Sequence, residues 1–345
     1  MATTGLTALE KTLIGVEAAA GASTDVVTTH WRGVGKVKDR REVVFPPERV
    51  GKIGGTNRSY IPVKGCDVML EGDAKFSQLA YIKNAGIYLT TPTTDATSGF
   101  IRTWTVQASS SDAISTTDLG TLVVESGDNI EVQLARFCFV REYTETGRQG
   151  EALQISATLQ GRDPSTGTFT AVGTTDFDND AEAILCSNVY LYFDPSSDTP
   201  GTTQKTATYL EHTLTHKTGW VALEAKDGRL DFSDIKHIDD EITLDVTFEH
   251  NGVAIAQKDA WKNQTEQVLR LKFLGSALTT TDAGATYDTK AYVMDLYGKW
   301  QTFGAEGLEE QNGDNIYRGT FRAAWSSIAN NKAVFVLVTE QATLP

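Results

Sequence analysis

The chain says nearly the same thing twice, about 180 residues apart. Asp67-Val68-Met69-Leu70-Glu71-Gly72-Asp73 returns as Asp245-Val246-Thr247-Phe248-Glu249-His250-Asn251, an offset of 178 residues. Gly127-Asp128-Asn129-Ile130 reappears as Gly313-Asp314-Asn315-Ile316, and Ala152-Leu153-Gln154-Ile155 is answered by Ala333-Val334-Phe335-Val336, at offsets of 186 and 181. Three collinear matches in one order imply one fold written twice. At 345 residues the chain is about twice the usual domain size. We therefore expect two domains, 1–172 and 173–345, each able to bury its own core.

The pattern within each copy is that of strands. Apolar and polar residues alternate over Ile101–Val106, Leu153–Leu159, Val189–Phe193, Ile242–Phe248 and Leu269–Phe273, the period of a strand with one face in a core. Turn pairs such as Asp227-Gly228, Asn251-Gly252 and Asn312-Gly313 separate such runs. One segment per copy breaks the alternation. After Asp73, a good N-cap, Phe76, Leu79, Ala80 and Lys83 recur at helical spacing until Gly86. The second copy has Ala254, Ile255, Ala260 and Trp261 in the same place. The expected fold is mainly β (α+β): two tandem sandwiches, each with one flanking short helix. Phe76, Leu79, Ile255 and Trp261 are expected to pack the helices onto their sheets. The strand-like stretch Ile184–Phe193 lies at the join, and either copy could claim it.

Charge is unevenly spread. The net charge is −14, which argues against gripping nucleic acid through its phosphates, since that needs clustered Lys and Arg. Residues 31–64, however, hold nine basic side chains against three acidic ones, a net of +6 on a remainder of −20. Pro46-Pro47, Gly51, Gly54-Gly55 and Pro62 break this segment into a long excursion. Such a basic arm on an acidic body could bind another copy of the chain. We expect Arg32, Lys36, Lys38, Arg40, Arg41, Arg49, Lys52 and Arg58 to make that contact, the alternative being a solvated loop.

Motifs for chemistry are weak. His212 and His216 have i, i+4 spacing, but Glu211 precedes the first His and the Thr-rich surroundings favour a strand over a zinc-protease helix. Asp176, Asp178 and Asp180 begin like a calcium loop, yet its Gly is absent and Ser187 stands where the bidentate Glu belongs. Gly51–Thr56 lacks the order of a phosphate loop. No catalytic, cofactor or metal site is expected. Cys66, Cys138 and Cys186 are an odd, scattered set and read as buried free thiols. No uncharged run reaches the roughly 20 apolar residues of a membrane helix, and Lys11 and Glu17 interrupt the N-terminal apolar stretch.

Gly15-Val16-Glu17-Ala18-Ala19-Ala20-Gly21, then Trp31-Arg32-Gly33-Val34-Gly35, a long loop, and Val68–Phe76 before a short helix resemble the layout of the tail tube proteins of long, non-contractile-tailed bacteriophages. The resemblance covers most of the chain. It implies sandwich domains whose inner sheets join, six domains to a ring, into a β-barrel lumen. With a duplicated chain, a homotrimer would imitate a hexamer. It further implies stacking of rings into a tube, assembly in the host cytoplasm and residence in the virion tail. The implied partners are tape measure, tail terminator and tail-tip proteins, with double-stranded DNA passing through unbound. The family has no catalytic or cofactor motif to carry over. Other readings are a decoration or tail-tip β-protein, or a carbohydrate-binding one. The last needs a platform of aromatics, and the six Trp are spread evenly along the chain.

Overall fold

Alternation in the sequence becomes alternation in burial. In the segment Glu241–Glu249, Ile242, Leu244, Val246 and Phe248 are buried while Glu241, Asp245 and Glu249 reach solvent. The computed structural model describes residues 5–21, 27–49, 51, 57–95, 99–106, 119–172, 181–279, 285–305, 307–311 and 313–344. Lys52, Asp176, Asp178, Asp180 and Asn312 lie outside the described residues. The protein is mainly β, with strands paired antiparallel throughout.

The chain opens with β1 Lys11–Val16, β2 Thr29–His30, β3 Val34–Asp39 and β4 Cys66–Asp73, which lead to helix α1 Leu79–Gly86. Then come β5 Thr93–Thr94, β6 Phe100–Val106, β7 Leu122–Gly127, the long β8 Val132–Arg148, β9 Gln154–Gly161 and β10 Ser165–Gly167. β11 Val189–Pro195, β12 Gln204–Lys205, β13 Tyr209–Lys217, β14 Trp220–Leu223, β15 Asp234–His237 and β16 Glu241–Glu249 precede helix α2 Gly252–Lys262. β17 Gln267–Ala277, the long β18 Thr289–Phe303, β19 Glu309–Gln311, β20 Asp314–Ala323 and β21 Ala333–Thr339 complete the order.

One pairing order occurs twice. β3 pairs with β4, β4 with β9 and β9 with the second half of β8, whose first half pairs with β7 and β10; β7 pairs with β1. Likewise β13 pairs with β16, β16 with β20 and β20 with the end of β18, whose first part pairs with β17 and β21; β17 pairs with β11. Each long strand serves two layers, and each shifts register where it turns, between Val140 and Glu142 and between Trp300 and Thr302.

The register shifts correct the repeat read from sequence. Aligning them sets Glu142 with Thr302, Thr158 with Thr320 and Met69 with Asp245, an offset of 176 for β4 and β16 rather than 178. The other two matches fall on unlike places. Gly127–Ile130 turns from β7 into β8, whereas Gly313–Ile316 turns from β19 into β20. Ala152–Ile155 enters β9, whereas Ala333–Val336 is in β21, beside β18 and β6.

The two parts of the chain share one core. A single apolar cluster runs from Ile14 through Trp104, Leu214 and Phe248 to Leu337, so the expectation of a separate core for each half does not hold. β13 pairs with β8, and β6 reaches over to pair with β21. The stretch Ile184–Phe193 is divided between them. Ile184 N–H donates to Ala74 O (2.9 Å) and its C=O accepts from Leu153 N–H (2.8 Å). After a 3-10 turn at Cys186–Asn188, β11 pairs with β17.

The helices differ. α1 is buried along its whole length, with Phe76 and Leu79 in the core as expected. It begins later than expected, after a turn, and Asp73 accepts from Gln154 Nε2 (2.6 Å) instead of capping it. Asn251 does cap α2, accepting from Val253 N–H (3.0 Å) and Ala254 N–H (3.2 Å). α2 lies on the outside, and its inward stripe is Ala254 and Gln257, with Trp261 half-buried. Ile255, one residue round the helix from that stripe, is 47% exposed and does not pack as expected. Gln257 Oε1 accepts from Trp300 Nε1 (2.9 Å) and Gln267 Nε2 (2.7 Å), which satisfies a polar side chain in the core.

Candidate assembly surface

The β8–β13 pairing joins two four-stranded sheets edge to edge, in the order β3-β4-β9-β8-β13-β16-β20-β18. Inward residues of β13 are His212, Leu214 and His216; outward ones are Glu211, Thr213, Thr215 and Lys217. Across the seam Glu211 faces Arg148, Thr213 faces Thr146, Thr215 faces Thr144 and Lys217 faces Glu142. The seam is therefore matched in charge as well as in hydrogen bonding. Arg148 Nη2 lies 3.0 Å from Glu211 Oε2, which Thr247 supports by donating to its other oxygen at 3.0 Å.

Farther along the same face, Lys217 pairs with Glu241 (3.0 Å), Arg322 reaches Glu241 at 3.7 Å and Arg318 meets Glu309 at 2.9 Å. A groove of about 710 Å³ runs over the face, lined by Arg148, Glu211, Thr213, Asp245, Arg318 and Thr320 among others, with no Phe, Tyr or Trp. It is a wall of hydroxyls and paired charges. Each exposed pair contributes little to stability by itself, but the pairing commits Arg148, Lys217, Arg318 and Arg322 to carboxylates. The face ends in two edges: β3 pairs with β4 alone, and Lys299–Phe303 of β18 with β20 alone, among the described residues.

Beneath the seam lies a buried polar cluster. Lys83 of α1 donates to Glu145 Oε1 (2.6 Å) and Tyr143 Oη (2.8 Å), and Tyr292 of β18 donates to Glu145 Oε2 (2.8 Å). His216 Nδ1 is 2.9 Å from the Tyr143 hydroxyl; its Nε2 is 3.7 Å from Asp240, whose other oxygen lies 3.2 Å from Lys332. Lys83 Nζ also sits over the rings of Phe335 (4.0 Å) and Tyr143 (4.1 Å). Burial lowers the Lys83 ammonium to about 8 against the pull of Glu145, and pushes the Tyr143 and Tyr292 hydroxyls well up. Burial likewise lowers His216, with Asp240 opposing. The charges tie α1, β8, β13 and β18 together.

This cluster was missed in the sequence, although two signals were there. Lys83 is the only charged residue of the helix Leu79–Gly86, and Glu145 falls in phase with Tyr143 and Gly147. His212 and His216 both point into the core from one strand, roughly 13 Å apart along it, too far to share a metal. Among the described residues no cluster of metal-binding side chains occurs, and no helix is long and apolar enough to cross a membrane.

The basic island is divided by the structure. Lys36 and Lys38 lie on β3, on the polar face, opposite Met69 and Asp67. Arg40 lies 3.8 Å from Asp67, Arg41 pairs with Asp39 (3.4 Å) and Asp163 (2.9 Å), Lys64 with Asp163 (3.0 Å), and Arg58 with Glu48 (2.9 Å). Arg32 and Arg49 are exposed. Comparison with protein-family models and with curated proteins finds no match for this chain.

Proposed function

We propose that the chain is a structural subunit that assembles with itself into stacked rings, as the tail tube proteins that it resembles do, and that it forms part of a phage tail. The observation that carries this reading is the β8–β13 seam. It joins two sheets of like pairing order and leaves β3 and the end of β18 open, the strands that correspond to β13 and β8. A contact between unlike edges repeats, and closes into a ring when its rotation divides the circle. Two sheet units per chain and three chains per ring give the pseudo-sixfold barrel, which removes the open edges that would otherwise aggregate. On this reading 1–172 and 173–345 are duplicated tube domains, interlocked by β6.

The polar face would then line the channel. Its paired charges offer little grip to DNA, which carries roughly six negative charges per 10 Å and binds where free cations replace its counterions. Tape measure, terminator and tail-tip proteins are the further partners this role requires. Contacts between rings are assigned to the cations of 32–64. Among the described residues, Arg49 is exposed, lies off the channel face and has no partner in the ion pairs above. Tubes should therefore shorten as salt rises.

Native mass measurement of the purified protein tests the reading. Rings of three chains are expected, and in electron micrographs rings or tubes. Six chains per ring, or a monomer at every concentration, would overturn it.

A further inference from the structure

The connection from β13 to β16 does not stay on its own sheet. It crosses the internal seam, where Trp220 Nε1 donates to Gly86 O at the end of α1 (3.1 Å) and Thr218 Oγ1 donates to Val140 O (2.6 Å). Trp220, Phe232 and Ile235 pack there with Leu119, Phe137 and Phe139, and the Phe232 ring lies 5.2 Å from that of Phe137. Arg162, just past β9, covers Phe137 at 4.4 Å and donates to Phe232 O (3.1 Å) and Ser233 O (2.6 Å). The hairpin is a clasp across the seam.

The connection from β3 to β4 holds the same place in the pairing order, and at its base Lys64 N–H donates to Leu230 O of the hairpin (2.8 Å). Its base is fixed by Arg41 and Lys64 on Asp163 and its arms meet at the Val44–Tyr60 bridge. Yet Val43 (48%), Phe45 (69%) and Tyr60 (53%) are exposed. Beside the ground that corresponds to the clasped surface, two apolar side chains are exposed as well. Trp325 (37% exposed) and Ile328 (61%) follow β20 just past Ala324, the counterpart of Arg162, and Ser326 Oγ, donating to Glu266 (2.6 Å), ties them to the link between α2 and β17.

We propose that the described parts of this connection, 40–49 and 57–65, clasp a second copy of this chain within the ring, with Val43, Phe45 and Tyr60 covering the neighbour's Trp325 and Ile328. This rests on the ring reading above and places the apolar side of the loop in the ring, leaving its cations for stacking. Two exposed apolar patches, one beside each open edge, are brought together by the operation that the internal seam already performs. Aromatic anchors at the centre of such contacts carry much of their binding energy.

Phe45→Ser/Tyr60→Ser should leave the unassembled chain folded with an unchanged Tm, because both side chains are exposed in it, and should raise the concentration at which rings dissociate at least about tenfold. Phe45→Cys paired with Ile328→Cys should form a disulfide between chains in isolated single rings, the natural cysteines being buried. Wild-type rings matched in mass and dissociation by the serine variant, with no interchain disulfide in the cysteine pair, would overturn the clasp and leave the ring. A wild-type chain that never forms rings would overturn both.

Discussion

Lys83→Met is expected to cost the folded chain about 3–5 kcal/mol, because it strands Glu145 as a buried charge. Both side chains have no solvent exposure, and the 2.6 Å contact is the only ion pair that either makes among the described residues. With Lys83 gone, Glu145 keeps one strong donor, the Tyr292 hydroxyl, too little to replace water around a carboxylate. The partner change separates the pair from mere packing. Lys83→Met with Glu145→Leu removes both charges and should recover most of the loss, as apolar replacements of buried pairs commonly do. The measurement is urea unfolding at pH 7, below the value of about 8 to which burial lowers Lys83, so that the ammonium is charged in the wild type. A loss below about 1 kcal/mol for the single variant, or no recovery in the double one, would show that the pair does not anchor α1 beneath the seam.

Much of the fold was legible because burial on one face writes itself as alternation. β6, β9, β11, β16 and β17 fall where the pattern placed strands, and the basic excursion falls where Pro and Gly punctuate the chain. β8 and β18 were not legible, for a physical reason. A strand that passes from one layer to another buries both faces in turn, so Phe137-Cys138-Phe139-Val140 and the run Ala291–Gly298 lose the period of two. The duplicated pairing order is carried by hydrogen bonds and bulges, which leave almost no letter code. Of the three sequence matches, only the one on β4 and β16 lies on corresponding strands, and that one is two residues out of register. The Lys83–Glu145 pair spans 62 residues, and a single sequence does not say which buried cation meets which buried anion. Ile255 illustrates a smaller limit: on a short surface helix one residue is about 100° of rotation, enough to turn an expected core position into an exposed one.

Acid should open the seam first, through His212. Its ring lies in the core between Tyr209 and Phe273, opposite Gly147 of β8, where a Cβ at Gly147 would collide with the imidazole Cε1. Burial lowers its pKa from 6.5 to about 3. Above pH 6.5 the imidazole is neutral in the folded and unfolded chain alike, and titration costs nothing. As pH falls below 6.5 the unfolded chain takes up a proton that the folded chain refuses until about 3, so stability is lost across that window. Each unit is worth about 1.4 kcal/mol, which makes the loss roughly 2 kcal/mol at pH 5 and 4–5 kcal/mol near pH 3. His216, also lowered by burial, adds in the same direction. His212→Gln removes the titrating group. The difference in unfolding free energy between pH 7 and pH 5 should then shrink by about 2 kcal/mol, whatever the variant's stability at pH 7. Amide exchange should also localise the effect, since His212 lies on the strand that pairs with β8. At pH 5 the amides of Glu211–Lys217 should lose protection before those of β17 in the wild type, and not in the variant. An unchanged pH dependence in His212→Gln would assign the acid sensitivity to the carboxylates of the polar face instead.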